Sequence, residues 1–231
     1  MSIAENVARV RENIARAAAS CGRAASDVLL VGASKMNDAD ACRAAIAAGV
    51  DALGENRVQE MTQKLSEHAY DGAPLHFIGH LQRNKVNKVV GRVALIESVG
   101  SPELLAAVAA QAEKLGVVQD ILLEVNIGGE EAKSGFAPQA LSAAAEQALA
   151  LSAVRVRGLM CIPPVAEGPR GSIPYFEKTH RFYVDINEKL YHNKLDMLSM
   201  GMSGDYEDAV RCGATLVRVG TAIFGARNYR I

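Results

Sequence analysis

Lys35 stands directly after a short apolar run, and a primary amine in that setting has a distinctive chemistry. In its neutral form it condenses with an aldehyde or ketone. An isolated lysine would simply leave the sheet for solvent, so the chemistry needs partners. Two downstream turns supply them. In Ser203-Gly204-Asp205-Tyr206 a serine opens a helical stretch after a glycine. In Val219-Gly220-Thr221-Ala222 a strand runs into a short helix through glycine. Backbone N–H groups at helix starts carry partial positive charge and point outward, so such turns can hold a phosphate. Ser203 also fits a plain N-cap, which needs no ligand. Arg218, two residues before Gly220, is either a buried tie across the rim or a donor to a pyridine-type ring nitrogen. The second role would keep that nitrogen unprotonated and the ring a weak electron sink.

Other chemistries find less support. His76 and His80 have zinc-like spacing only on a helix, but their segment reads as a strand end with no acidic third ligand, so no metal is expected. No G-x-S-x-G elbow, Walker loop or dinucleotide fingerprint occurs. The four cysteines, Cys21, Cys42, Cys161 and Cys212, are widely spaced and read as reduced, buried thiols.

The elements that must position these residues alternate along the whole chain. An amphipathic helix with Ile3, Val7, Val10 and Ile14 on one face, ended by the stretch over 20–27, precedes the first strand. Strands are expected over 28–33, 51–53, 75–78, 94–98, 120–126, 154–161, 197–199 and 216–219. Helices are expected over 39–48, 58–65, 84–90, 102–115, 138–149, 175–190 and 205–212, with a short turn around Ala222. Eight such units imply parallel strands closed into a (β/α)8 TIM barrel with an additional N-terminal helix, one domain over 1–231. In that fold the strand C-termini share one rim. Lys35, Asn56, His80, Asn126, Ser203, Arg218, Gly220 and Thr221 all fall there. The two phosphate-type turns follow the seventh and eighth strands, the usual place for a barrel phosphate site.

Bulk properties narrow the classes. The 25 basic and 26 acidic side chains nearly cancel, which gives no basic face for nucleic acid. Arg83, Lys85, Lys88 and Arg92 read as one solvated side of a helix. No apolar run nears the ~20 residues of a membrane span, and residues 1–6 lack a signal-peptide core. A cytoplasmic monomer is expected.

Seven stretches together resemble the pyridoxal phosphate homeostasis proteins, a family that binds pyridoxal 5′-phosphate (PLP). They are A-S-K at 33–35, G-E-N-R-V-Q-E at 54–60, H-F-I-G-H-L-Q-R-N-K at 76–85, N-I-G-G-E-E-A-K-S-G-F at 126–136, R-G-L-M-C-I-P-P at 157–164, S-M-G-M-S-G-D-Y at 199–206 and R-V-G-T-A-I-F-G at 218–225. The sequence departs from the family at Gly100 and in the loop near 168–172. The resemblance implies a barrel like the N-terminal domain of alanine racemase, of PLP fold type III. It implies that Lys35 carries the internal aldimine, that Ser203, Gly220 and Thr221 contact the phosphate, that Arg218 faces the pyridine nitrogen, and that Asn56 and Met200 line the ring. It further implies a non-catalytic role in PLP homeostasis and in amino-acid and keto-acid balance, with apo PLP-dependent enzymes as partners. The sequence ends after the eighth unit, where racemases of this fold add a domain bearing their second acid/base, so racemase activity is not expected. A small PLP-dependent racemase, and a barrel enzyme using Lys35 on a phosphorylated sugar, are the competing readings. Lys133 reads as a mobile loop lysine, or as a transient second PLP contact.

Overall fold

A computed structural model describes residues 1–130, 133–165, 168 and 170–225. Glu131 and Ala132 of the 126–136 stretch, and parts of the loop near 168, lie outside the described residues.

The strands β1 (Leu29–Ala33), β2 (Ala52–Glu55), β3 (Leu75–Phe77), β4 (Leu95–Val99), β5 (Gln119–Val125), β6 (Val154–Cys161), β7 (Met197–Ser199) and β8 (Leu216–Val219) form a closed parallel barrel in sequence order. Helices α2 (Ala39–Ala47), α3 (Val58–Ser66), α4 (Pro102–Leu115), α5 (Leu141–Leu149), α6 (Ile173–Lys189) and α7 (Tyr206–Arg211) connect them, and α8 (Thr221–Phe224) follows β8. The period-2 alternation of a strand sends one set of side chains inward and the other against the helices. Val31, Ala52, Leu95, Leu122, Met160 and Leu216 form the inner layer. Leu30, Leu53, Phe77, Ile96, Ile121, Leu198 and Val217 belong to the larger layer beneath the helices.

Helix α1 (Ile3–Ala19) begins with a capping box in which Ser2 and Glu5 exchange hydrogen bonds. It buries Val7, Val10, Ile14, Ala17 and Ala18, and packs against α2, α7 and α8. Because α8 has only four residues, it cannot cover β8, and α1 completes the helical ring at that place. The Asn6 Nδ2 donates to the Ile223 carbonyl at 2.8 Å and ties the two together.

Two expectations change. The basic segment forms a 3-10 turn, Arg83–Lys88, in place of an α-helix. It lacks a side-chain cap, and although Val86, Val89 and Val90 are buried, Gly91 in the left-handed region ends the segment before a longer helix can form. Of the four free thiols, Cys42 and Cys161 are buried as expected, but Cys21 is exposed and Cys212 half-buried. Cys21 follows the end of α1, past the face that α1 packs inward.

Candidate functional site at the barrel mouth

The first strand delivers Lys35 by simple alternation. Val31 lies in the inner layer, Leu30 in the outer one, and Ser34 is enclosed on the helix side. Lys35 therefore belongs with the inward set, at the mouth, and is half-buried. Its neighbours follow from strand register. Ala33 pairs with Gly54 on β2, so Asn56 lies level with Lys35 on one side. Val31 pairs with Arg218 on β8, which brings Gly220 level with Ala33 on the other. A cavity of about 240 Å³ joins Lys35 and Met36 to Gly220, Thr221 and Phe224. Whole ligand pockets run to ~300–1,000 Å³, so this one suits the small anionic end of a ligand.

Ser203 completes that end. Its Oγ accepts from the Gly220 N–H at 3.1 Å and the Ala222 N–H at 3.2 Å. Both lone-pair directions of the hydroxyl are thus occupied, which leaves its proton to donate outward. Thr221 is exposed at the same lip. Ser203 does not cap α7, as the plain reading had it; it caps the start of α8 from across the rim. A residue with a Cβ at Gly220 would approach the Ala33 carbonyl to 3.4 Å, at the tight end of ordinary contact.

On the opposite side, Asn56 sits against Gly79. A Cβ at Gly79 would lie 2.3 Å from the Asn56 carbonyl oxygen, so only glycine lets the two rims meet. The Asn56 Oδ1 is buried and has no hydrogen-bond partner among the described residues. Buried acceptors are rarely left so, and one at the end of β2, level with Lys35, is an acceptor ready for a ligand.

Below the mouth lies a polar layer inside the barrel. Arg218, 3% exposed, donates to the Ser199 Oγ and, at 2.9 Å, to the Cys161 carbonyl. Ser199 in turn donates to Glu97 Oε2 at 2.6 Å, and His76 Nδ1 meets Glu97 Oε1 at 2.8 Å. Burial alone would push the Glu97 carboxyl up, but His76, Arg218 and Ser199 outweigh it and hold it below the ordinary range. Glu124 goes the other way: burial raises it, with Ser134, Arg218 and His80 opposing. Arg218 is therefore both a tie within the rim and a fixed charge under the mouth.

Lys35, Gly220 and Thr221 thus line one cavity, with Ser203 bonded to its lip and Asn56 and Arg218 at the same ends of the neighbouring strands β2 and β8. The structure does not bring the Met200 side chain there. Met200 is fully buried in the outer layer with Leu198, because the alternation that turns Ser199 inward turns its neighbour outward. Sequence reasoning missed Glu97 and the role of His76, and it placed Ser199 only at the end of the seventh strand. A glutamate and a histidine in the middle of apolar strands were the available signals, since charged residues are almost never fully buried unless paired. His76 and His80 do not converge, His80 being exposed, and no metal-ligand cluster occurs among the described residues. Lys133 lines a different cavity, of about 720 Å³, with His80, Arg83 and Ser101. Its Nζ pairs with Glu130 and donates to the Pro163 carbonyl at 3.3 Å. Among the described residues, no helix is long and apolar enough to cross a membrane.

Comparison with known proteins agrees with this architecture. Residues 6–228 match the family described as the N-terminal domain of alanine racemase. The pyridoxal phosphate homeostasis protein of Aquifex aeolicus (strain VF5) is 42% identical over 99% of this chain and 100% of its own length. The structure of PipY from Synechococcus elongatus with PLP bound superposes with a TM-score of 0.85 at 34% identity, over 97% of this chain and 100% of that one. An alanine racemase of Clostridium difficile 630 shares the fold, with a TM-score of 0.72 at 15% identity, over 98% of this chain and 58% of that one. The barrel, its rim and these relatives together place the chain in the family of pyridoxal phosphate homeostasis proteins, built on the alanine racemase N-terminal fold.

Proposed function

We propose that this protein holds PLP through Lys35 and serves PLP homeostasis as a reversible carrier that passes the cofactor to apo-enzymes. The observation that carries the reading is the cavity that Lys35 lines together with the Gly220–Thr221 lip. PLP brings an aldehyde with which a primary amine condenses reversibly, releasing water. The residues present fit it. Lys35 supplies the amine, and the outward-facing Ser203 hydroxyl and Thr221 supply donors for a phosphate at the Gly220–Thr221 lip. Arg218 supplies a permanently charged donor for the ring nitrogen. Asn56 supplies an acceptor that has no other partner among the described residues.

The layer below the mouth supports a non-catalytic role. Glu97 is held ionised by three partners and locked to Arg218, so it is poorly suited to take and return protons. Arg218 opposite the ring nitrogen would leave that nitrogen unprotonated and weaken the ring as an electron sink.

The test is to incubate PLP-loaded protein with a panel of L-amino acids and, separately, with an apo PLP-dependent enzyme. The expected result is activation of the apo-enzyme with no amino-acid turnover. Turnover at ordinary enzymatic rates would overturn the carrier reading in favour of a small racemase or related enzyme.

A further inference from the structure

We infer that Glu60 and Asn37 are positioning residues for Lys35: they pin the two ends of the Lys35–Met36 peptide and so fix the direction in which the amine leaves its turn. The inference rests on the assignment of Lys35 proposed above. Residues 34–37 form a hydrogen-bonded turn, with the Asn37 N–H donating to the Ser34 carbonyl at 3.1 Å. Its third residue, Met36, adopts φ +61°, a left-handed conformation that turns of this kind normally give to glycine or asparagine. Methionine there is strained, and it is also 40% exposed, so packing does not hold it.

Hydrogen bonds hold it. The Met36 N–H donates to Glu60 Oε2 at 2.8 Å, and the Lys35 carbonyl accepts from Asn37 Nδ2 at 3.0 Å. These are the two ends of one peptide plane. If that plane flipped, Met36 could relax to negative φ, but both bonds would be lost and the Lys35 carbonyl would face the Glu60 carboxylate. The turn cannot shift as a whole, because Ser34 is anchored separately. Its N–H donates to the Gly54 carbonyl at 2.9 Å, and its carbonyl accepts from Lys64 Nζ at 2.9 Å. Lys64 is itself buried against Glu55, at 3.0 Å. Any relaxation must therefore be absorbed at Lys35. Glu60 is kept on target by Arg57, at the N-cap of α3, at 3.4 Å and by Lys64, one turn on, at 3.9 Å.

The experiment is PLP titration of the full chain, freed of PLP, read by absorbance and by borohydride-fixed label on Lys35. Thermal midpoints of the PLP-free proteins are measured in parallel. Loss of one charge-assisted hydrogen bond predicts that Glu60→Ala weakens PLP binding about tenfold. Asn37→Ala, which removes a neutral bond from the other end, weakens it about fivefold. Glu60→Gln keeps an acceptor oxygen for the Met36 N–H and stays within about threefold of wild type. Midpoints of the PLP-free variants fall by only a few degrees, the share of one hydrogen bond, so each stays folded at the titration temperature and its weaker binding reports positioning. Glu60→Ala binding as tightly as wild type would overturn the inference, and so would Glu60→Gln binding as weakly as Glu60→Ala. A wild-type protein that takes no label on Lys35 overturns the Lys35 assignment and this inference with it.

Discussion

Replacing Glu97 with glutamine removes one charge from the centre of the barrel and leaves its counterpart enclosed. Glu97 is fully buried and Arg218 is 3% exposed, with 3.7 Å between Oε2 and the guanidinium and the Ser199 hydroxyl bridging them. Breaking a buried pair from one side costs ~3–5 kcal/mol, because the remaining charge loses its compensation. Glutamine still offers one acceptor to His76 or Ser199, so the lower end applies, about 3 kcal/mol. In a chain of this size each kcal/mol moves the midpoint by ~2–4 °C, which predicts a fall of ~6–12 °C for Glu97→Gln. The assay is thermal and urea denaturation of PLP-free protein, so that ligand linkage does not mask the change. Arg218→Met in the Glu97→Gln background removes the orphaned charge, and replacement of both partners by uncharged groups is often near neutral. The double variant should therefore be more stable than the sum of the single effects predicts, by ~2 kcal/mol or more. Additive effects would refute the coupling. The pH dependence has a definite sign. The folded carboxyl titrates below the unfolded one, so its stabilisation is complete above the ordinary glutamate range (~4.3) and fades as pH falls through the depressed value. The gap between wild type and Glu97→Gln should narrow in that acid window and nowhere else.

Other substitutions probe the rim. Ser203→Ala strands the Gly220 and Ala222 N–H groups and removes an outward donor; PLP affinity should fall about tenfold while affinity for pyridoxal, which lacks the phosphate, stays unchanged in parallel titrations. Equal losses for the two ligands would remove Ser203 from the phosphate site. Gly79→Ala forces Asn56 away from its place, and overpacking of this kind costs ~1–3 kcal/mol. It should lower both the denaturation midpoint and PLP affinity, and a variant unchanged in both would show that the rims do not need to meet.

Much of this was legible in the sequence because α/β units carry strong local signals. Strands β6, β7 and β8 and helix α4 fall at the residues expected from apolar runs and from Pro102 at the first turn. The same alternation explains why Lys35 and Arg218 could be assigned to the rim. What was not legible depended on which face a residue takes. Met200 lies in a matching motif beside Ser203, but its place one residue after the inward Ser199 buries it under the helices. The 83–88 segment has helical charge spacing, but it has no side-chain cap and Gly91 closes it, so it forms only a 3-10 turn. Glu97, Ser199 and His76 come from three strands, and their union appears only once the barrel closes. The Glu60–Met36 bond is hidden for a related reason: it links a helix to a turn 24 residues away through a backbone N–H, which leaves no mark on residue type.

Lys35 as the residue that holds PLP is the claim on which the rest depends. The most direct test is borohydride treatment of the PLP-loaded protein, followed by peptide mapping and comparison with Lys35→Ala. The account predicts loss of the visible absorbance on reduction, one stable label on the peptide containing Lys35, and neither feature in Lys35→Ala. A label of full strength on another lysine, or one that survives Lys35→Ala, would contradict it.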